Sequence, residues 1–197
     1  MKDKSTDQQL LATIKQKSVL RQEFKLKREQ LNHQSIIDKS RLIEEKILNL
    51  ATFHQAQNIM CYVSKDKEVF THDLIKKILK MRKTVVVPYI VKKGIMKPAI
   101  IQHFSELSLA EFNTLQPQTK NFLDEKIELN LVPALAVSKN GDRLGWGAGF
   151  YDRFISDYQP QLNIALIFDC QLVDQLPTTK FDQKIDGVIT ESQYLLF

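Results

Sequence analysis

Between Gln8 and Leu31 the apolar positions include Leu10, Leu11, Ile14, Val19, Leu20, Phe24 and Leu31, and the span holds no proline or glycine. That spacing, free of breakers, predicts a helix. Ser35 to Leu50 repeats the pattern with Ile36, Ile37, Leu42, Ile43, Ile47 and Leu50. Thr71 is expected to cap a third helix, running to Lys80, with Leu74, Ile75, Ile78 and Leu79 on one face. Elsewhere the rhythm shortens. Asn58 to Val63 is an apolar run of strand length, and Thr84 to Val87 is β-branched throughout and stops at Pro88, as a strand buried on both faces would. Further strands are expected over Ile95–Ile101, Leu129–Val132 (closed by Pro133), Leu162–Phe168 and Gly187–Thr190. Residues 103–127 show no clear period and read as loops and short turns. A last helix is expected from Gly149 to Tyr158.

Helices alternating with short apolar strands argue for the α/β class. The expected architecture is a single layered domain over residues 1–197, with a mainly parallel central sheet flanked by helices and with helices at the N-terminus. Ligands of such sheets bind beyond the carboxyl ends of the strands. A hydrophobic content of 43% and a charged content of 26% suit a globular protein. No apolar stretch is long enough to cross a bilayer. Met1 to Gln9 lacks the apolar centre of a secretory signal, so a cytoplasmic location is expected. Cys61 and Cys170 each lie in an apolar run and are expected as buried thiols rather than a disulfide, with no Cys or His at zinc spacing. His33, His54, His72 and His103 show no paired spacing.

Charge is unevenly spread. Residues 1–97 carry 21 Lys+Arg and 10 Asp+Glu, or +11, whereas residues 98–197 carry 7 and 13, or −6. A basic half suits an anionic ligand, and it equally suits lysines on solvated helix faces.

The densest chemistry lies in Gly141–Arg153. Four of the six glycines fall in it, bracketed by Asp142, Arg143, Asp152 and Arg153. Glycines permit close backbone approach, Arg143 offers a bidentate fork to phosphate, and Asp152 offers a carboxylate for Mg²⁺. The run follows one expected strand and opens an expected helix, whose N-terminus attracts anions. It is neither a G-x-x-x-x-G-K-S/T loop nor a G-x-G-x-x-G dinucleotide fingerprint. On shape alone an ordinary wide loop remains open.

Arg143-Leu144-Gly145-Trp146-Gly147-Ala148-Gly149-Phe150-Tyr151-Asp152 resembles the R-L-G-x-G-x-G-x-Y-D signature of the 5-formyltetrahydrofolate cyclo-ligase family. Lys17-Ser18-Val19-Leu20-Arg21 resembles its K-x-x-L-R, with Arg28 further along the same helix. Tyr62-Val63-Ser64 with Glu68, Val69 and Thr71 resembles its Y-x-S…E-V-x-T. Residues 181–191 resemble its terminal D-x-x-x-D-x-x-I-T. The four stretches keep family order from residue 17 to residue 191, leaving residues 1–16 as an N-terminal extension. Departures are Ala134 for glycine, Val137-Ser138 for Phe-Asp, Ala148 for a small or basic residue, and Phe150 for tyrosine.

The resemblance implies an enzyme that converts 5-formyltetrahydrofolate to 5,10-methenyltetrahydrofolate with ATP as co-substrate and Mg²⁺ as cofactor. It implies Arg143, Tyr151 and Asp152 as catalytic, and Lys17–Arg21 together with Arg143–Tyr151 as the ATP site. Val63, Glu68 and residues Trp146–Phe150 would contact the folate, and Asp152 and Asp182 the metal. Its expected partners are 5-formyltetrahydrofolate and ATP, with no nucleic acid and no membrane, as a monomer or weak homo-oligomer. A noncatalytic folate- or nucleotide-binding protein of the same fold is the alternative. A nucleic-acid binder ranks behind both, because aromatics are not interleaved with the lysines.

Overall fold

The computed structural model describes residues 4–110 and 113–197. Its helices are α1 (Lys4–Glu29), α2 (His33–Leu48), α3 (Ala51–Gln55), α4 (His72–Lys80) and α5 (Phe150–Tyr158). Its strands are β1 (Asn58–Cys61), β2 (Thr84–Lys92), β3 (Ile95–Ile101), β4 (Leu107–Ala110), β5 (Thr114–Pro117) and β6 (Leu129–Pro133). They continue as β7 (Ala136–Ser138), β8 (Arg143–Leu144), β9 (Leu162–Leu166), β10 (Leu172–Val173), β11 (Gly187–Ile189) and β12 (Tyr194–Leu196).

Seven strands form the central sheet in the order β12-β11-β9-β6-β1-β2-β3. The pairs from β11 through to β2 are parallel, and the two edge strands β12 and β3 are antiparallel. The mainly parallel α/β class expected from the pattern is therefore the one observed. Both faces of the sheet are covered. Ile59, Cys61, Val85 and Val87 pack with Ile43, Ile47, Phe53, Leu74 and Ile78 from α2–α4 on one face. Met60 and Val86 pack with Met96, Ile127 and Phe154, the last from α5, on the other. Consecutive valines can all be buried because successive side chains of a strand point to opposite faces.

Several elements differ from expectation. β2 does not stop at Pro88 but runs on to Lys92, with Pro88 opposite Pro98 of β3. The pairing with β1 reaches Val86, so Pro88 sits where β2 has only β3 beside it, and two facing prolines ask no amide of each other. The span 103–127 is not all loop: it holds the β4–β5 hairpin, paired from Leu107 opposite Pro117 to Ala110 opposite Thr114. Thr71 stands at the start of α4 but its side chain does not cap it. Its hydroxyl donates to the Tyr62 carbonyl at 2.7 Å and accepts from the Ser64 amide at 2.9 Å, fastening the segment after β1. α2 does carry a side-chain cap, Asn32 accepting from the Ser35 amide at 2.8 Å. Both cysteines are free, but only Cys61 is buried. Cys170 falls in the 3-10 turn Asp169–Gln171 beyond the end of β9, which puts it at the surface.

Candidate active site

The strand order reverses direction at β1: β2 and β3 build outward on one side, and β6, β9 and β11 on the other. The connections leaving β1 and β6 therefore part at their carboxyl ends and open a crevice. A cavity of about 830 Å³ lies there, walled by Tyr62 and Val63 after β1, Pro133 at the end of β6, and residues of the glycine run.

α1 closes one side with an unusual face. Lys17, Phe24 and Arg28 are buried, whereas Leu11, Ile14, Val19 and Leu26 are exposed. The face turned inward carries cations at positions 17, 21 and 28, a spacing that puts them on neighbouring turns of one side. Phe24 supplies its apolar anchor, in a cluster with Leu135, Ala136 and Leu144.

Two of these cations, and Arg143 beside them, have defined polar partners. Lys17 Nζ meets Asp182 Oδ1 at 2.5 Å. Arg21 Nε donates to the Gly145 carbonyl at 2.9 Å. Arg143 extends along the crevice floor, donating through Nη1 to the Pro133 carbonyl at 3.3 Å and through Nη2 to Asp152 Oδ1 at 3.1 Å. Its Nε is buried without a hydrogen-bond partner. The glycines make room for these side chains. A Cβ on Gly145 would come within 2.7 Å of Arg143 Nη1, and Gly147, at φ +101°, passes close to the Arg21 guanidinium.

The carboxylates are equally engaged. Asp182 Oδ2 accepts from the Thr179 amide at 2.6 Å and its hydroxyl at 3.0 Å. Burial works to raise the Asp182 pKa, but Lys17 and the two Thr179 donors outweigh it and hold the group below the usual carboxylate range. Asp152 Oδ1 also accepts from the Gln183 amide at 3.3 Å. Glu68 is buried. Its Oε1 accepts from Trp146 Nε1 at 3.2 Å and its Oε2 from the Lys65 amide at 3.1 Å. Burial pushes its pKa up, against the Lys65 amide, the Arg28 charge and the indole N–H. The Tyr151 phenol is pushed well above its ordinary value by burial, with Glu68 and Cys61 adding to the shift. It stays protonated at neutral pH, and its ring lies 5.5 Å from the Arg143 guanidinium carbon.

Fourteen of the residues singled out in the sequence thus meet around one cavity: Lys17, Arg21, Val63, Glu68, Arg143, Asp152, Asp182 and all of Gly145–Tyr151. Four do not line it. Ser18 and Val19 face solvent on the far side of α1, and Leu20 and Leu144 belong to the Phe24 cluster. Others in the wall were not anticipated. Arg153 donates through Nε to the Gly94 carbonyl at 2.5 Å and through Nη2 to the Ala148 carbonyl, tying the β2–β3 turn to the glycine run. Its place at the end of that run was a usable signal. Ile90 and Met96 also line the cavity, but they come from the paired strands β2 and β3, and only long-range packing brings them there.

Among the described residues no three His, Cys, Asp or Glu side chains cluster as a self-sufficient site. Two carboxylates, Asp152 and Asp182, line the cavity beside cations able to hold phosphate. Hard oxygens from one or two carboxylates, completed by phosphate oxygens and water, are what Mg²⁺ accepts, so the residues fit that ion.

Fold and site together define an α/β protein with a crevice lined by cations and carboxylates at the switch point of a mainly parallel sheet. The comparisons narrow the class. A family model described as the 5-formyltetrahydrofolate cyclo-ligase family matches residues 13–191, and the chain belongs to that family of enzymes. It is 28% identical over 154 residues to the 5-formyltetrahydrofolate cyclo-ligase of Haemophilus influenzae, covering 75% of this chain and 82% of the relative. It is 27% identical over 187 residues to that of Mus musculus, covering 87% and 92%. Its fold is similar to the solved 5,10-methenyltetrahydrofolate synthetase of Aquifex aeolicus, with a TM-score of 0.83, 23% identity, and coverage of 91% of this chain and 92% of the other. Among the described residues no helix is long and apolar enough to cross a membrane.

Proposed function

We propose that the crevice binds 5-formyltetrahydrofolate and ATP together and closes the folate ring to give 5,10-methenyltetrahydrofolate, ADP and phosphate. The observation that carries this reading is convergence. Cations from α1, the glycine run with Arg143 and Asp152, Asp182 from the C-terminal segment and buried Glu68 surround one cavity.

The chemical obstacle is an amide-like formyl carbon whose oxygen leaves poorly. Transfer of the γ-phosphoryl group to that oxygen makes it a leaving group and the carbon iminium-like. The second folate nitrogen then bonds to the carbon, the C–O bond breaks, phosphate departs and the nitrogen loses its proton. Such a path asks the protein for alignment and charge neutralisation more than for covalent catalysis. Lys17, Arg21 and Arg143 neutralise the phosphates, and the amides of Gly145, Gly147 and Gly149 add donors. Lys17 and Arg143 rest on Asp182 and Asp152 in this structure, so phosphates that draw the cations away release both carboxylates. Those carboxylates would hold Mg²⁺, which supplies further neutralisation of the transferring phosphoryl group. Tyr151, protonated, supports Arg143 through its ring. Glu68 accepts N–H donors of the pterin, and Val63 with Trp146 presents a surface for its flat ring.

The test is an absorbance assay for methenyltetrahydrofolate formed from 5-formyltetrahydrofolate with and without Mg-ATP. ATP-dependent product is expected. Calorimetric binding of either compound without product favours the noncatalytic reading. No product and no binding overturns both.

A further inference from the structure

Arg28 is a buried cation that the proposed chemistry does not use. It is 3% exposed, and its Nε is buried with no hydrogen-bond partner. No carboxylate among the described residues lies within ion-pair distance of it. Burying a guanidinium on those terms costs free energy. Burial pulls its pKa below the ordinary guanidinium value, and Glu68 leads the groups that oppose this.

What Arg28 does touch is informative. Its guanidinium carbon lies 5.0 Å from the centre of the Trp146 ring, a cation–π separation. The same indole donates to Glu68 Oε1. Arg28, Trp146 and Glu68 therefore form a chain from the end of α1 to the cavity wall. The backbone fixes its two ends: Lys67 Nζ donates to the carbonyls of Glu29 and Leu31, docking the end of α1 on the turn that carries Glu68. Trp146 is the link nearest solvent. It is 41% exposed and stands between two glycines.

A buried carboxylate needs donors. In this structure the indole N–H serves Glu68 Oε1. A pterin donor reaching the same oxygen must displace it, and the indole can yield while its face stays on Arg28.

We propose that Arg28 is a positioning residue for folate recognition, acting through the Trp146 indole on the Glu68 carboxylate. It holds the ring where it can cap Glu68 or lie against the pterin, and its charge favours the ionised acceptor. Among the described residues Arg28 makes no ion pair with Asp152 or Asp182, so its influence falls on the folate and not on ATP. This inference rests on the proposed reading of the crevice.

Trp146 is the only tryptophan in the chain, so its fluorescence reports the contact directly. In ligand-free Arg28→Gln protein, the acrylamide quenching constant is expected to rise at least twofold, with Arg28→Lys between the variant and wild type. By calorimetry, the Kd for 5-formyltetrahydrofolate rises about tenfold in Arg28→Gln and recovers in part in Arg28→Lys, while the Kd for Mg-ATP stays within twofold. Combining Arg28→Gln with Trp146→Phe weakens folate binding by less than the product of the single effects, as residues acting through each other require. Equal weakening of folate and ATP would show that Arg28 merely props α1 and would overturn the proposal, as would unchanged quenching. Wild-type protein that binds no 5-formyltetrahydrofolate sinks the crevice reading and this inference together. Wild-type binding that survives Arg28→Gln sinks this inference alone.

Discussion

Glu68 illustrates a residue held against its own stability. Burial raises its pKa despite three favourable neighbours, so in the folded protein the ionised form is disfavoured relative to the unfolded chain. The sign follows from linkage: stability associated with this group is full below the ordinary glutamate range and is lost as pH rises through the higher folded value. Glu68→Gln, which cannot ionise, should therefore unfold at a higher urea concentration than wild type at pH 8. The gap should close as pH falls below the ordinary glutamate range, and a gap that widened on acidification would contradict the assignment. The same variant should bind 5-formyltetrahydrofolate less tightly. Asp152→Asn should keep the fold and lower kcat by 10² to 10³, the usual scale for removing one preorganised charge contact; near-normal turnover would remove Asp152 from the metal and phosphate site. Residue identities in the glycine run were legible because glycine, arginine and aspartate at that spacing carry their own chemistry. Burial of Glu68 was not legible: beside Lys65 and Lys67 it reads as a solvated residue, and its burial comes with long-range neighbours, Trp146 of the glycine run and Arg28 of α1.

At the scale of elements, α1 shows where pattern stops informing. Its apolar spacing announces a helix correctly, yet Leu11, Ile14, Val19 and Leu26 point to solvent and the buried side carries Lys17, Arg21 and Arg28. Amphipathicity assumes that the buried side faces an apolar core, and here Lys17 and Arg21 on that side face the crevice. Phe24→Ala should cost about 3–5 kcal/mol, whereas Leu11→Ser should change stability by less than about 0.5 kcal/mol; denaturant midpoints separate the two. β2 and the β4–β5 hairpin were misread for a related reason. Whether a proline ends a strand, or a weakly patterned segment forms one, depends on which neighbour stands beside it. In the glycine run, Gly147→Ala meets both a φ of +101° and the Arg21 guanidinium. It should cost about 1–2 kcal/mol of stability and raise KM for ATP more than KM for the folate.

At the scale of the whole molecule, the crevice is held by elements far apart in the chain. Lys17–Asp182 joins residues 165 apart, and Arg21–Gly145 joins residues 124 apart. The sheet brings β1 and β6 together, whereas α1 and the segment around Asp182 are fastened to the crevice by these polar contacts, by the Gln183 amide on Asp152, by Lys67 at the end of α1 and by the Phe24 cluster. Binding Mg-ATP should replace intramolecular ion pairs with contacts to a shared ligand and so tighten the outer elements more than the sheet. At a ligand concentration of 100 times Kd the gain is about 2.7 kcal/mol, or roughly 5–10 °C in Tm at this chain length. Amide exchange locates the effect. With Mg-ATP, residues 17–28 of α1, residues 145–149 and the segment around Asp182 should exchange more slowly. Residues 7–14 of α1, whose side chains lie mostly exposed, should not change. Slowing confined to the sheet would mean that the ligand lies elsewhere. Uniform slowing along the whole of α1 would mean that the helix docks as one rigid body, and that its inward cations do not act as separate phosphate contacts.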